Sequence, residues 1–353
     1  MSTRRATRPA AGERRRPPTM KDIADAAGVA QSTVSRILND APVLIRVSDE
    51  TRARVRAIAD ELGYQPHPFA RALRGAPTML LGAVVRDITD PFFAGAIEAL
   101  SLEARARGYS VVLGHAAATA DEAVALTAVL EARQCDAIVL LGDLHDAPRL
   151  LEDLRSSHVP VVALWHGAQQ RSSVFPAVSV DNRAGVRAVM AHLTDLGHRR
   201  IAFVGGDSLG DIRERQSTYE DCLAAAGIAA HPGYVRHVRN GSEGGEQALV
   251  ELLALSEPPT AVFAATDILA MGLLHGAWER GIDVPEKLSV VGFDDIPLAS
   301  AAVPSLTTVK MPTVKIVQAG VELAVGERAG SSSRLVFKPK LIVRRSTAAP
   351  AAA

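Results

Sequence analysis

From residue 79 onward, continuous apolar runs alternate with amphipathic stretches: "MLLGAVV", "SVVLGHA", "AIVLLG" and "PVVALW" are separated by segments such as "PFFAGAIEALSLEARARG". Strands that are apolar at every position have no polar face to offer water. They fit only the interior of a parallel sheet covered by helices on both sides. A second round follows in "AVSVD", "RIAFVGG", "YVRHV", "AVFAAT" and "LSVVGFDD". The pattern predicts two doubly wound α/β units in tandem. Ligands of such units sit at the carboxyl ends of the strands, so the cleft between the units is the natural small-molecule site.

The chain ahead of this core has a different character. Residues 1–75 hold 14 Lys and Arg against 8 Asp and Glu, a net of +6, while the remainder holds 25 against 31, a net of −6. A basic module joined to a larger, mildly acidic domain suggests nucleic-acid binding. The leader "MSTRRATRPAAGERRRPP" reads as a disordered basic tail over residues 1–18. It has no apolar h-region behind its arginines, and no apolar run in the chain reaches membrane-spanning length. The expected compartment is therefore the cytoplasm, with no membrane partner. The two cysteines, Cys135 and Cys222, lie far apart without a CxxC pair, so neither a disulfide framework nor a zinc site is expected. No metal or cofactor is implied.

Between tail and core, "TMKDIADAAGVAQSTVSRIL" predicts two short helices turning at Gly28. Thr19 is the N-cap, Asp22 completes an imperfect capping box, and Ile23, Ala24 and Ala27 form the inner stripe. A third helix runs from Asp49 to Leu62, capped by Ser48 and stopped at Gly63. In "GVAQSTVSRILND" the apolar positions Val34, Ile37 and Leu38 recur at helical spacing, so Gln31, Ser32, Ser35 and Arg36 project outward. That polar face is either ordinary solvated surface or a surface that reads a partner. Further on, "YQPHPFARALRGAP" breaks at its prolines and leaves "PFARALR" as one short helix. Alone in water so short a helix is marginal, and it should fold only against a partner.

The ordered set "MKDIADAAGVAQSTVSRILND", "ETRARVRAIADELGYQPHPFARALR", "DITDPFFAGAIEAL", "LGHRRIAFVGG", "VVGFDDIPLA" and "PSLTTVKMP" resembles the LacI/GalR transcriptional regulators, from about Thr19 to Thr347. The resemblance implies an α/β protein: an N-terminal three-helix helix-turn-helix domain (19–64), a hinge helix and linker (65–77), and a periplasmic-binding-protein-like core of two doubly wound parallel-sheet subdomains (78–347). A flexible tail (348–353) follows. It also implies a homodimeric repressor that binds palindromic double-stranded operator DNA under the control of a small-molecule effector in the cleft.

Carried over by motif position, Gln31, Ser32 and Arg36 would face base edges in the major groove, where Gln suits adenine and Arg suits guanine. Thr33, Ser35 and Asn39 are placed for phosphates, which orient without specifying. Ser48 and Thr51 are further phosphate candidates. In the hinge, Leu73 would enter the minor groove as an apolar wedge, flanked by Arg71 and Arg74 on phosphates. In the core, Asp90, Phe92 and Phe93 fall at the first strand-to-helix loop, Arg215 at the start of a helix, and Asp294 at the end of "VVGFD". An Asp and an Arg facing one another can hold vicinal hydroxyls, the carboxylate accepting and the guanidinium donating in a fork. Two departures shape the expected ligand. Thr266-Asp267 replaces the Asn-Asp of many members, and Trp165 with His166 stands where a carboxylate often does, which makes the pocket more aromatic. A sugar, a nucleoside, a modified sugar or another ring metabolite remains open.

Two rival functions have less behind them. A solute receptor would suit the α/β pair alone but not the basic module in front. An enzyme would need chemistry that the motifs lack: "VGGDSLG" is not G-x-G-x-x-G, and no HExxH or Ser-triad order occurs. His115, His198 and Asp295 are isolated candidates. The expectation is a regulator, not an enzyme. The C-terminal "STAAPAAA" carries no leucine heptad, so the expected assembly is a dimer, not a tetramer.

Overall fold

The computed structural model describes residues 18–38, 47–64, 77–116, 120–132, 134–142, 157–165, 176–206, 210–326 and 333–351. The basic tail, most of the "NDAPVLIRV" connection and the "PFARALR" segment lie outside the described residues. The chain divides into two compact units, Met1–Thr78 and Met79–Ala353.

The first unit is built from three helices, α1 (Met20–Ala27), α2 (Gln31–Leu38) and α3 (Asp49–Leu62). The capping box at the start of α1 is complete: the Thr19 amide donates to Asp22 at 2.7 Å, and the Asp22 amide donates to the Thr19 hydroxyl at 3.4 Å. Each helix end left bare would leave four backbone groups unpaired, so these two bonds fix where α1 begins. It ends because Gly28 takes a left-handed conformation (φ 65°), which a residue with a Cβ adopts only under strain. The turn then delivers α2 across α1. Ile23, Ala24, Ala27, Val34, Ile37, Val55 and Ala59 close the small core.

The second unit begins with β1 (Leu80–Val85), α4 (Pro91–Ala106), β2 (Ser110–His115), α5 (Ala120–Ala132), β3 (Ala137–Leu141), β4 (Val161–Leu164) and β5 (Ala177–Val180). It continues with α6 (Asn182–Asp195), β6 (Ile201–Gly205), α7 (Gly210–Ala225), β7 (Val235–His237), α8 (Ser242–Leu253), β8 (Ala261–Ala264), α9 (Asp267–Glu279), β9 (Ser289–Val291) and α10 (Pro297–Ala301). β10 (Thr308–Lys310), α11 (Thr313–Val325), β11 (Arg334–Phe337) and β12 (Lys340–Ile342) complete it. Among the described residues, one sheet has the order β11-β5-β4-β3-β1-β2 and a second β7-β6-β8-β9, all parallel, with β10 and β12 as an antiparallel pair. The two doubly wound halves expected from the apolar runs are present.

One strand sits elsewhere than expected. "AVSVD" opens the second round in sequence, yet its strand β5 pairs with β4 in the first sheet, Ala163 opposite Ala177 and Leu164 opposite Val178. Chain order cannot reveal this, because a strand apolar on both faces suits the middle of either sheet. The chain therefore passes into the second half after Val180, returns through β10 and α11 to lay β11 beside β5, and crosses again through β12. The last described residues then zip onto β9: Val290 donates to the Ser346 carbonyl at 2.8 Å, and the Ser346 hydroxyl donates back to Val290 at 2.6 Å. Buried His198 tightens this seam, with one ring nitrogen 2.9 Å from the Thr260 hydroxyl and the other 2.8 Å from the Ala348 carbonyl. Of the three apolar clusters described in this unit, one, with Phe93, Trp165, Phe203 and Phe293 in it, runs through both halves. No helix among the described residues is long and apolar enough to cross a membrane.

Candidate functional site: an exposed reading helix and a closed polar cleft

In the first unit, α2 buries Val34 and Ile37 and leaves Gln31, Ser32 and Arg36 exposed, with Thr33 and Ser35 half-buried beside them. The outward face is the one the apolar spacing predicts. Ser48 and Thr51 are engaged with each other: the Thr51 amide donates to the Ser48 hydroxyl at 3.2 Å, and the two hydroxyls lie 2.8 Å apart. Ser48 is thus committed as the N-cap of α3. Asn39, Arg71, Leu73, Arg74 and, in the core, His166 lie outside the described residues.

In the second unit, the loops at the carboxyl ends of the strands converge on a cavity of about 20 Å³ that Asp90, Phe92, Phe93, Trp165, Arg215, Thr266 and Asp294 line together. That volume holds about one water molecule, so the inner end of the cleft is closed around its own side chains, while a wider space of about 490 Å³ opens beside it between Asp87, Asp90, Asn240 and Gln247. Asp90 caps α4, accepting from the Phe92 amide at 3.0 Å, with Pro91 setting the first turn. Phe93 faces the core. Phe92 stands edge-on to Trp165 at 5.1 Å between ring centroids and forms the aromatic wall. Trp165 has a left-handed backbone (φ 58°), and its buried Nε1 has no hydrogen-bond partner among the described residues.

Arg215 and Asp294 meet in the cleft, as the carry-over expected. The guanidinium donates to Asn182 Oδ1 at 2.9 Å and to the Ala265 carbonyl at 2.5 Å, lies 3.7 Å over the Phe293 ring, and approaches Asp294 to 3.7 Å. It is held by protein groups on nearly every side. Burial pushes the Asp294 carboxyl well above the usual range, against the opposing pull of Arg215. Burial raises Asp90 likewise, while the Phe92 amide and Arg86 hold it down. Thr266 caps α9 and gives its hydroxyl proton to Asn240 at 2.7 Å, and Asn240 donates in turn to Asp90 at 3.1 Å. The threonine hydroxyl is therefore spent inside the protein.

Four further residues belong to the site and were not singled out from sequence. Arg86 follows β1, Asn182 starts α6, Asp211 lies in the first turn of α7, and Asn240 sits before α8. Arg86 and Asp211 left a trace, a charge at the end of an apolar run and an i, i+4 partner for Arg215; the two asparagines left none. Asp267, next to Thr266, is fully buried and ties segments together by accepting from the Thr308 hydroxyl at 2.5 Å and the Ile296 amide at 2.9 Å. The isolated candidates have structural partners: His198 in the seam, His115 at 3.8 Å from Asp87, and Asp295 at 2.6 Å from Arg344. Away from the cleft, Glu246, His275 and Glu279 bring one ligand atom each within 4.8 Å on the surface.

Comparison with known proteins gives the same two-part division. Residues 19–67 match the bacterial regulatory proteins of the lacI family, and residues 190–347 match the periplasmic binding protein-like domain. The HTH-type transcriptional repressor CytR of Escherichia coli K12 is 33% identical over 336 residues, covering 94% of this chain and 96% of that protein. The HTH-type transcriptional regulator DegA of Bacillus subtilis is 32% identical over 342 residues, covering 93% and 98%. Among solved structures, the Lac repressor dimer bound to operator and the anti-inducer ONPF superposes with a TM-score of 0.83 at 27% identity, covering 95% of this chain and all of that one. A complex of the transcriptional regulator CelR with cellobiose has a TM-score of 0.66 at 30% identity, covering 93% and 99%.

Proposed function

The chain belongs to the lacI family of bacterial regulatory proteins, and from that premise we propose that its cleft takes a small ring-shaped effector which sets the affinity of a homodimer for a palindromic operator. It is a DNA-binding transcriptional regulator, and we read it as a repressor working in the cytoplasm without catalytic activity. The observation that carries this is α2: a helix anchored through Val34 and Ile37 whose other face presents Gln31, Ser32 and Arg36 to the outside. In this role Gln31 and Arg36 pair with base edges, each good pair discriminating by about 1–3 kcal/mol, while Thr33, Ser35 and Asn39 hold phosphates. Arg71, Leu73 and Arg74 serve the hinge, the leucine as wedge and the arginines on phosphates.

In the cleft, Arg215 and Asp294 face the hydroxyls of the ligand, Phe92 and Trp165 its ring, and Asp90 its outer edge. Thr266 is a scaffold for Asn240, and Phe93 a support for Phe92. The effector acts by binding the two arrangements of the halves unequally, since a ligand of equal affinity for both shifts nothing. The deciding experiment is selection of bound sequences from random duplexes with the purified chain at a fixed salt concentration. Enrichment of a two-fold symmetric site supports the reading. Binding that stays sequence-independent with and without added metabolites refutes it.

A further inference from the structure

Arg86 is buried at the mouth of β1, and the mechanism above gives it no work. Its guanidinium lies 5.1 Å from the centre of the Phe93 ring. Its two ends point at Asp90, 3.9 Å away on its own half, and at Asp211, 3.7 Å away on the opposing half. Both distances lie outside hydrogen-bond range, so the fork bridges the carboxylates by charge. Arg215, on the same cavity, does make hydrogen bonds, donating to Asn182 and the Ala265 carbonyl. Two buried groups on the same cavity are without hydrogen-bond partners among the described residues: Asp211 Oδ1 and Trp165 Nε1.

A buried guanidinium between carboxylates of two halves holds those halves together. In a site of low dielectric, charge attraction reaches several ångströms with little screening. The Asn240 to Asp90 hydrogen bond spans the same gap beside it. Together these contacts leave the inner cavity, between Asp90 and Asp211, with room for about one water, too little for any ring compound there.

We infer that Arg86 is a built-in stand-in for the effector: it latches the two halves through Asp211 in the unliganded chain, and a ligand entering between Asp90 and Asp211 displaces it. The effector then works against a closed inner cavity, and the strength of the Arg86–Asp211 bridge sets how much of its binding free energy is spent on opening. The inference rests on the reading of this cleft as the effector site. Its test reads neither DNA nor ligand, so the two can fail separately.

The chain has two tryptophans, and replacing exposed Trp278 with Phe leaves Trp165 as the reporter of the cleft. Acrylamide quenching of Trp165 is then compared across variants of the full chain whose folding is checked by far-ultraviolet circular dichroism. Arg86→Met keeps an unbranched stem against Phe93 and removes the charge, Asp211→Asn keeps the shape and removes the partner charge, and Arg86→Lys restores a cation. The first two should each raise the quenching constant by at least about twofold as the open population grows, and their combination should go no further than the larger of them. Arg86→Lys should stay near the parent. Unchanged quenching in folded Arg86→Met, or effects of the two substitutions that simply multiply, would make Arg86 a packing residue and overturn the latch. If Arg86→Met does not fold, Asp211→Asn decides alone: raised quenching supports the latch and unchanged quenching overturns it.

Discussion

At the scale of single residues, the core places charge where water does not reach, and its stability should respond to pH and truncation accordingly. Asp267 is the clearest case: burial pushes its carboxyl up to about 6, against the Thr308 hydroxyl and the Ile296 amide that hold it down. A folded-state pKa above the unfolded one means that the native chain binds this proton more tightly. The resulting stability is fully present below the unfolded pKa, about 4, and is lost as pH rises through about 6, an effect on the order of 2–3 kcal/mol. Urea unfolding of the Asp267→Asn chain should therefore lose less stability than the parent over that window; an identical loss would contradict the assignment. Arg215→Ala strips the donor from buried Asn182 and leaves Asp294 facing no cation at its closest approach. Breaking one side of such a pair costs about 3–5 kcal/mol, and the urea midpoint of the core should fall to match. Arg215 and Asp294 were legible because the family pattern marks their positions. Asn182 and Asn240 were not, since an asparagine beside a strand or helix end looks like ordinary turn chemistry until the fold turns it inward.

At the scale of elements, caps and stripes were readable and sheet membership was not. Thr19, Gly28, Ser48 and Gly63 begin or end helices where local chemistry says they should. The apolar runs mark strands, yet β5 changes sheet relative to its place in the second round, and β11 and β12 are too short and too exposed to announce themselves. Pairing partners are decided by long-range packing that local periodicity does not encode. The contact of α8 with α9 illustrates such packing. A Cβ added to Gly245 would strike the Leu269 carbonyl oxygen, and one added to Gly272 would strike that of Ser242. Backbone atoms cannot swing aside as side-chain tips do. Gly272→Ala should thus lower stability by about 1–3 kcal/mol, overriding the gain of up to about 1 kcal/mol that alanine brings to a helix interior. Differential scanning calorimetry would read this as a lower midpoint for the core, and a raised midpoint would refute the close approach.

At the scale of the whole molecule, two units of very unequal size share one chain. The first is held by a core of seven buried apolar residues, and the second by a continuous core through both of its halves. Small domains bury a smaller fraction of their surface and sit nearer the edge of stability. Hydrogen exchange should accordingly show the amides of α1 to α3 opening at lower free energy than those of β1, β3 and β8. Added operator duplex should raise protection in the first unit by mass action, and equal protection in both units without DNA would refute the inequality.

The crossings of the second unit also impose an order in time. During synthesis, domains fold from the N-terminus as they emerge, at about 5–20 residues per second. The three small helices meet that condition early. The larger unit does not, because the first sheet waits for Arg334–Phe337 to cover the edge of β5, and the second waits for Ser346 to close on Val290. Until those segments leave the ribosome, both halves present open strand edges to solvent. A nascent chain of this protein thus holds a finished DNA-reading head well before it holds the finished core that would govern it.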